Sequence, residues 1–111
     1  MPRTSKRQRL GVPNSVKIGS VNYSIDFVPD LRDDDGERLT GQHDYNVGVI
    51  RLDDAVYNMD ILHNTLMHEV LHGIWAHQSL PTANEEEYVS SIANGLTMVL
   101  KDNPKLLELF K

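Results

Sequence analysis

A chain of 111 residues has room for one domain, and 40% hydrophobic with 24% charged residues is the composition of an ordinary globular protein. The absence of cysteine excludes disulfide bonds and thiolate metal sites, so any metal must be held by His, Asp or Glu; it also suits a reducing compartment. The net charge of -5 argues against general affinity for nucleic acid.

Residues 1–13 are predicted to form a disordered basic tail, and residues 14–111 a single folded domain. The tail has a cluster of basic residues, for which a solvated, disordered segment is the simpler interpretation and a nucleic-acid-binding arm the weaker one. The tail lacks the apolar stretch of a signal peptide, and no later segment approaches the length of a membrane span. These features predict a cytoplasmic protein with no membrane partner. Before any acidic residue the tail carries Arg3, Lys6, Arg7 and Arg9.

Alternation of apolar and polar residues predicts strands in the first half of the chain. Residues 16–27 fit a half-buried strand, or a hairpin that turns at Gly19-Ser20. Residues 29–37 are predicted to form a loop with a turn at Asp35-Gly36, since the acidic run lacks the ligand spacing of a calcium-binding loop. A second extended segment, Asn46 to Leu52, follows.

Helical spacing of apolar residues predicts two long helices and a short terminal one. The first begins at an N-cap, Asp60, and ends near His77. The second runs from about Asn84 to Lys101, is broken at Asn103-Pro104, and is followed by a short helix over residues 105–110. Strands followed by helices predict an α+β fold. The second helix carries an apolar stripe of Val89, Ile92, Leu96 and Val99.

The pentapeptide His68-Glu69-Val70-Leu71-His72 lies inside the first long helix. Residues four apart lie one above the other on a helix, so both imidazoles project from one face and can bind one cation. Zinc accepts imidazole nitrogen at about 2.0–2.1 Å, and a catalytic zinc site leaves one position for water. Glu69 lies about 100° round the helix from His68, where it can accept the proton of that water without occupying a metal position.

Several aromatic residues near the motif have candidate roles as well. His63 and His77 lie away from the face of the motif histidines and are expected to be surface or partly buried side chains. Tyr45 and Tyr88 are candidates for stabilising an oxyanion, although packing is the commoner role of such tyrosines. Trp75 is expected to pack in the core rather than to wall a substrate pocket.

A third ligand would then be a carboxylate, and Glu85, Glu86 and Glu87 begin the second helix. All three suit the dipole of a first helical turn. Thr82-x-x-Glu85 and Asn84-x-x-Glu87 also fit capping boxes, so either flanking glutamate has a structural role available. Measured against the apolar stripe, Glu85 points nearest the core, Glu86 lies at its margin and Glu87 points away. The pattern leaves Glu85 and Glu86 both open.

His68-Glu69-x-x-His72 followed by Glu86-x-x-Val89-Ser90-x-Ile92-Ala93 resembles the gluzincin arrangement, in which a glutamate on the next helix is the third zinc ligand. Within that group the short chain is similar to the ImmA/IrrE-like metallopeptidases and to small zincins of phages and prophages, over roughly residues 16–104. It departs from the ImmA/IrrE pattern, which has Ala-Asn-x-Phe-Ala where this chain has Val-Ser-Ser-Ile-Ala, and it lacks the Leu-Leu-Met-Pro run beyond. Alignment of Ile92-Ala93 with Phe-Ala places the ligand at Glu86.

The resemblance implies a minimal zincin-like α+β fold, in which a small antiparallel or mixed sheet packs on the motif helix and the glutamate helix crosses it. It implies a zinc metallopeptidase, with Zn²⁺ held by His68, His72 and Glu86 and with Glu69 as the general base that activates water against a peptide or protein substrate. Asn46 to Leu52 is the candidate edge strand for pairing with extended substrate. The alternative is a non-catalytic, zinc-stabilised binding or regulatory module. A phage or prophage origin would place either protein in the cytoplasm of a bacterial host.

Overall fold

The structure, a computed structural model, describes residues 11–56 and 58–111. Residues 1–10, most of the predicted basic tail, lie outside the described residues. Within the described residues, a mixed sheet of four strands and three helices give the α+β architecture that the order of the sequence patterns predicts. The elements in chain order are β1 (Ser15–Ile18), β2 (Val21–Val28), β3 (Gly41–Asp44), β4 (Val49–Asp53), α1 (Met59–His77), α2 (Glu85–Asp102) and α3 (Pro104–Glu108).

The sheet has the strand order β1-β2-β4-β3. β1 and β2 form an antiparallel hairpin, so of the two predicted alternatives the hairpin that turns at Gly19-Ser20 is the correct one. Gly19 has φ +61°, a conformation that a residue without a Cβ adopts readily. β4 pairs parallel with β2 on one side and antiparallel with β3 on the other. The predicted loop turn at Asp35-Gly36 is also confirmed, with Gly36 at φ +83° and its N–H donating to the carbonyl of Asp33 at 3.0 Å.

The prediction that Asn46 to Leu52 forms an edge strand is wrong. Residues 49–52 of this segment belong to β4, which is hydrogen-bonded on both sides and lies inside the sheet. The described edge strands of the sheet are β1 and β3. The residues of β3, Gly41-Gln42-His43-Asp44, include no aliphatic side chain and so give no alternating apolar pattern. β3 lies beside α1, so this edge of the sheet runs along the motif helix.

α1 ends at His77, as predicted, and the other helix ends differ from the predicted ones by one or two residues. α1 is capped by Asn58, whose side chain accepts a hydrogen bond from the N–H of Ile61 at 3.0 Å. The predicted cap, Asp60, is instead a first-turn residue that accepts from Lys101 Nζ at 2.7 Å and so ties the start of α1 to the end of α2. Pro104 occupies the first turn of α3, as its missing N–H allows.

The main core lies between the sheet and α1. Val12 belongs to it at 5% exposure, so the core already includes a residue of the predicted tail. A smaller cluster of Leu71, Val89 and Ala93 joins α1 to α2. None of the described helices is both long and apolar enough to cross a bilayer. The buried members of the main core are Val12, Ile18, Tyr23, Ile25, Ile50, Leu52 and Leu62.

The predicted apolar stripe of α2 does not line the core as a whole. Val89 is fully buried, but Ile92, Leu96 and Val99 are 42%, 36% and 45% exposed. Among the described elements α2 packs mainly on α1, with a smaller contact to α3, so its stripe is covered chiefly on the side that faces α1.

Candidate metal centre

α1 holds the motif residues between the sheet and α2. Glu69 faces the sheet and is 6% exposed, whereas the side chains of His68 and His72 are 20% and 17% exposed on the side toward α2. Their ring centroids lie 4.8 Å apart, as the four-residue helical spacing predicts. The motif therefore directs two imidazoles and one carboxylate toward a shared region.

Glu86 completes a cluster of three potential ligands. Its two carboxylate oxygens lie 2.8 Å from Nε2 of His68 and 2.8 Å from Nε2 of His72. The two Nε2 atoms are 3.1 Å apart. All three donor groups fit within 4.8 Å of one another, and we call them the candidate metal centre.

The donor set suits zinc in type and in spacing. Two imidazole nitrogens and one carboxylate oxygen form a known catalytic combination that leaves a fourth position open. A tetrahedral ion with ligands at about 2.0–2.1 Å separates its donor atoms by roughly 3.3 Å. The observed separations of 2.8–3.1 Å are within a few tenths of an ångström of that value, so a small outward shift of the side chains would admit the ion.

Glu85 has a different role from Glu86. Its Oε2 lies 2.6 Å from Nδ1 of His72, on the side of the ring opposite the candidate metal centre. With Nδ1–H donating to Glu85, the Nε2 lone pair is available to a metal. Burial opposes protonation of His72, but Glu85, Glu69 and Glu86 together outweigh it and raise the pKa of this histidine.

The geometry thus separates the two glutamates that the sequence pattern left open. Glu86 faces both Nε2 atoms, and Glu85 lies behind His72. Neither predicted capping box forms a side-chain cap among the described residues: Asn84 has φ +61°, and its side chain does not cap α2. Glu87 is exposed and forms no part of the cluster.

Glu69 is a buried carboxylate with a hydrogen-bond donor from β3. Its pKa is raised to about 7, chiefly by burial. The charge of Glu86 adds to this increase, whereas His72 and the backbone N–H of His43, which donates to the carboxylate, oppose it. A carboxylate that titrates near neutrality is well suited to proton transfer, and a bound cation would bring its pKa down again.

Gly41 allows β3 to lie directly against α1. A Cβ at this position would lie 2.7 Å from Cγ2 of Thr65 and 3.1 Å from both Cγ and Oε2 of Glu69. The strand can approach closely enough for His43 to reach Glu69 only because residue 41 has no side chain. Neither Gly41 nor His43 was singled out from the sequence, since β3 has no recognisable strand pattern.

The remaining histidines are separate from the candidate metal centre. His77 Nε2 lies 2.9 Å from the hydroxyl of Tyr23, and the Tyr45 ring lies 5.2 Å from the His77 ring. His43 lies 4.9 Å from the Tyr23 ring, and its buried Nε2 has no hydrogen-bond partner among the described residues. His63 is partly buried, in line with its predicted role.

Trp75 packs, as the sequence predicts, rather than facing the candidate site. Its ring stacks on Tyr88 at 6.2 Å, and its Nε1 donates to the carbonyl of Pro81 at 2.7 Å. Tyr88 is thereby held on the outer side of α2, and Tyr45 lies by His77. Neither tyrosine is among the described residues that line the cleft beside the ligands, so neither is placed to contact an oxyanion there.

That cleft, of about 810 Å³, lies between β3, α1 and the start of α2. Its volume is within the range of small-molecule and peptide sites. One wall is residues 38–43, and the other carries Asn64 and Thr65 together with the motif residues. Glu69, His68 and Glu86 all open onto it.

Comparison of the chain with protein-family models, with curated proteins and with solved structures gives no match.

Proposed function

We propose that this protein is a zinc-dependent metallopeptidase of minimal zincin-like fold, in which His68, His72 and Glu86 hold the ion and Glu69 is the general base. The observation that carries the proposal is the convergence of one Glu86 carboxylate on both Nε2 atoms, beside a buried carboxylate that opens onto the same cleft. Zinc, when bound, supplies a Lewis acid that acidifies water and polarises a peptide carbonyl.

The residues around the ligands have separable tasks in this reaction. Glu69 accepts the proton of the attacking water and delivers it to the leaving amine. The N–H of His43 holds the Glu69 carboxylate in place. Glu85 holds His72 in the tautomer whose Nε2 can bind a metal.

β3 offers an edge for an extended substrate. The N–H of Asp53 in β4 donates to the carbonyl of Thr40 at 2.8 Å. Main-chain groups alternate in direction along an antiparallel strand, so those of Gly41 point away from β4 and toward the cleft. A peptide that pairs with this edge would pass beside Glu69 with its backbone aligned.

An enzyme is favoured over a non-catalytic, zinc-stabilised module by the position of Glu85. A structural zinc site is closed by four protein ligands, whereas a catalytic site has three and an open position. Glu85, the neighbour of Glu86 on α2, is engaged at Nδ1 of His72 instead of completing the set. A cellular setting in the cytoplasm of a bacterium, as a phage or prophage product, rests on the family resemblance.

The test is Glu69→Gln, which preserves the shape of the side chain and removes its basicity. The variant is expected to bind zinc like the wild type and to lose cleavage of a random peptide library, followed by mass spectrometry. Glu87→Gln, a change to an exposed glutamate of α2, is the matched control and is expected to retain activity. Full activity of Glu69→Gln would refute the mechanism, and zinc binding without any cleavage by the wild type would favour the non-catalytic module.

A further inference from the structure

The cleft has a single guanidinium at the end of the wall that leads into β3. Among the described residues that line it, Arg38 is the sole Lys or Arg, and the carboxylates Glu69, Glu85 and Glu86 lie at the other end with the candidate metal centre. The cleft therefore has a cationic group on the segment that leads into β3, apart from the carboxylates of the candidate metal centre.

A buried carboxylate fixes the position of Arg38. Asp53 is 2% exposed and accepts a hydrogen bond from Nε of Arg38 at 3.2 Å. The same carboxylate accepts from the N–H of Ala55 at 2.8 Å and is also bonded by the backbone of Leu31, so it cannot swing away. The arginine is thus held at the base of its guanidinium by a rigid partner.

The outer part of the guanidinium remains available. The side chain of Arg38 is 54% exposed, and its described ion contacts, to Asp53 and at 3.9 Å to Asp30, are both made by Nε. Asp30 is itself bonded to Arg32, at 3.0 and 3.1 Å. A guanidinium held through Nε can still offer its terminal N–H groups to a second carboxylate in a paired geometry.

The number of residues between Arg38 and Gly41 limits how far Arg38 can lie from Glu69. Arg38 precedes Gly41, which contacts Glu69, by three residues. Residues 38–40 precede β3 and include a bend at Thr40, so the chain places the Cα atom of Arg38 at most roughly 10 Å from that of Gly41. This is no more than the span of about three residues of a substrate paired with β3.

We propose that Arg38 is a specificity determinant that binds a substrate carboxylate within about three residues of the cleaved bond, an inference that rests on the proposed metallopeptidase function. The carboxylate is an Asp or Glu side chain or the C-terminus of the substrate, because a guanidinium recognises both in the same way. A charge-assisted pair of this kind gives a preference of about 10- to 100-fold in kcat/KM over a neutral substrate.

The experiment uses three random octapeptide libraries and the zinc-loaded full chain, with cleavage followed by mass spectrometry. The first library is C-terminally amidated and contains Asp and Glu. The second has a free C-terminus and no acidic side chain. The third is amidated and has no acidic side chain, so its peptides contain no carboxylate. Preference for the first identifies an acidic side chain as the ligand, and preference for the second identifies a chain terminus. Equal rates with all three libraries would overturn the inference while the proposed function stood.

The variants are Arg38→Gln, Arg38→Lys and the matched control Arg32→Gln, which removes an arginine of the same loop that does not line the cleft. Arg38→Gln is expected to lose the preference and to cleave the fully neutral library at the wild-type rate, which also shows that it folds. Arg38→Lys keeps a cation for Asp53 but not the paired geometry, so it is expected to reduce the preference several-fold even if Arg38→Gln does not fold. Retention of the full preference in both variants would overturn the inference.

If the wild type cleaves no library, the proposed function fails, and binding then decides the inference separately. The same libraries are passed over the immobilised protein, and bound peptides are identified by mass spectrometry. Enrichment of carboxylate-bearing peptides on the wild type and on Arg32→Gln, reduced on Arg38→Lys and lost on Arg38→Gln, would support recognition by Arg38. No enrichment on the wild type would overturn it.

Discussion

Gly41→Ala tests the contact between β3 and α1 that holds Glu69 in place. The added methyl group would lie 2.7 Å from Cγ2 of Thr65, a distance at which the backbone or the threonine must move. It would also lie 3.1 Å from Cγ and Oε2 of Glu69, which must shift by a few tenths of an ångström. Gly41 does not have a positive φ, so the effect is one of steric crowding and not of backbone strain.

The magnitude follows from overpacking in a well-packed region. Forcing an extra methyl group into such a site costs typically about 1–3 kcal/mol. For a domain of this size, about 4 °C of melting temperature is lost per kcal/mol, which predicts a decrease of roughly 4–12 °C. A displaced β3 also moves the N–H of His43 from the Glu69 carboxylate, so kcat is expected to fall several-fold or more.

Thr65→Ser provides the matched rescue. It removes Cγ2, the closer obstacle, and keeps the hydroxyl, which donates to the carbonyl of Ile61 at 2.8 Å. The double variant Gly41→Ala/Thr65→Ser is expected to regain most of the lost melting temperature. It should regain less of the lost kcat, because the contact of the new methyl group with Glu69 remains.

The assays are thermal unfolding by circular dichroism and peptide cleavage, with Thr65→Ser alone as the reference for the double variant. An unchanged melting temperature in Gly41→Ala would show that β3 and α1 are not in contact as described. A decrease that Thr65→Ser does not relieve would show that the crowding arises elsewhere.

Glu85→Gln, which weakens the hydrogen bond to Nδ1 of His72, is expected to lower zinc affinity by about 10- to 100-fold in chelator competition, whereas Glu87→Gln leaves it unchanged; equal affinities in the two variants would contradict the role of Glu85. Asp53 is expected to stabilise the fold in a pH-dependent way, because hydrogen bonds from Ala55 N–H and Arg38 hold its pKa below the usual range despite burial. Its contribution is present above about pH 4, the unfolded pKa, and is lost as the pH falls through the lower folded value. Asp53→Asn should therefore lower the free energy of unfolding at neutral pH by about 1.5–3 kcal/mol and flatten its acid dependence in urea titrations; an unchanged acid limb would contradict this.

Much of the fold follows from local patterns that the sequence displays directly. The β1–β2 hairpin has a glycine turn between alternating residues, and each long helix has apolar periodicity and a breaker at its end. β3 could not be found in this way, because it is held by pairing with β4 and by contact with α1, not by apolar side chains of its own. The error at β4 has the same cause: a strand that is assigned without its partner is taken for an edge.

The candidate metal centre could likewise be predicted only in part from the sequence. Helical spacing is enough to bring His68 and His72 together, since both lie on one helix. The choice between Glu85 and Glu86 depends on how α2 crosses α1, which residue spacing along α2 does not determine. The exposure of Ile92 and Leu96 shows that the apolar stripe is a poor guide to that crossing, because α2 rests on α1 mainly through Val89 and Ala93.

In the proposed enzyme this chain binds one zinc ion through the motif histidines and Glu86. Zinc binding can be measured by elemental analysis of the purified native protein, with His72→Ala as the disrupted variant and His63→Ala as a control histidine of the same helix. We expect about one zinc per chain in the wild type and in His63→Ala, and loss of the ion in His72→Ala. A wild type that neither retains zinc nor takes it up on titration, or a His72→Ala variant that keeps it, would contradict this assignment of the ligands.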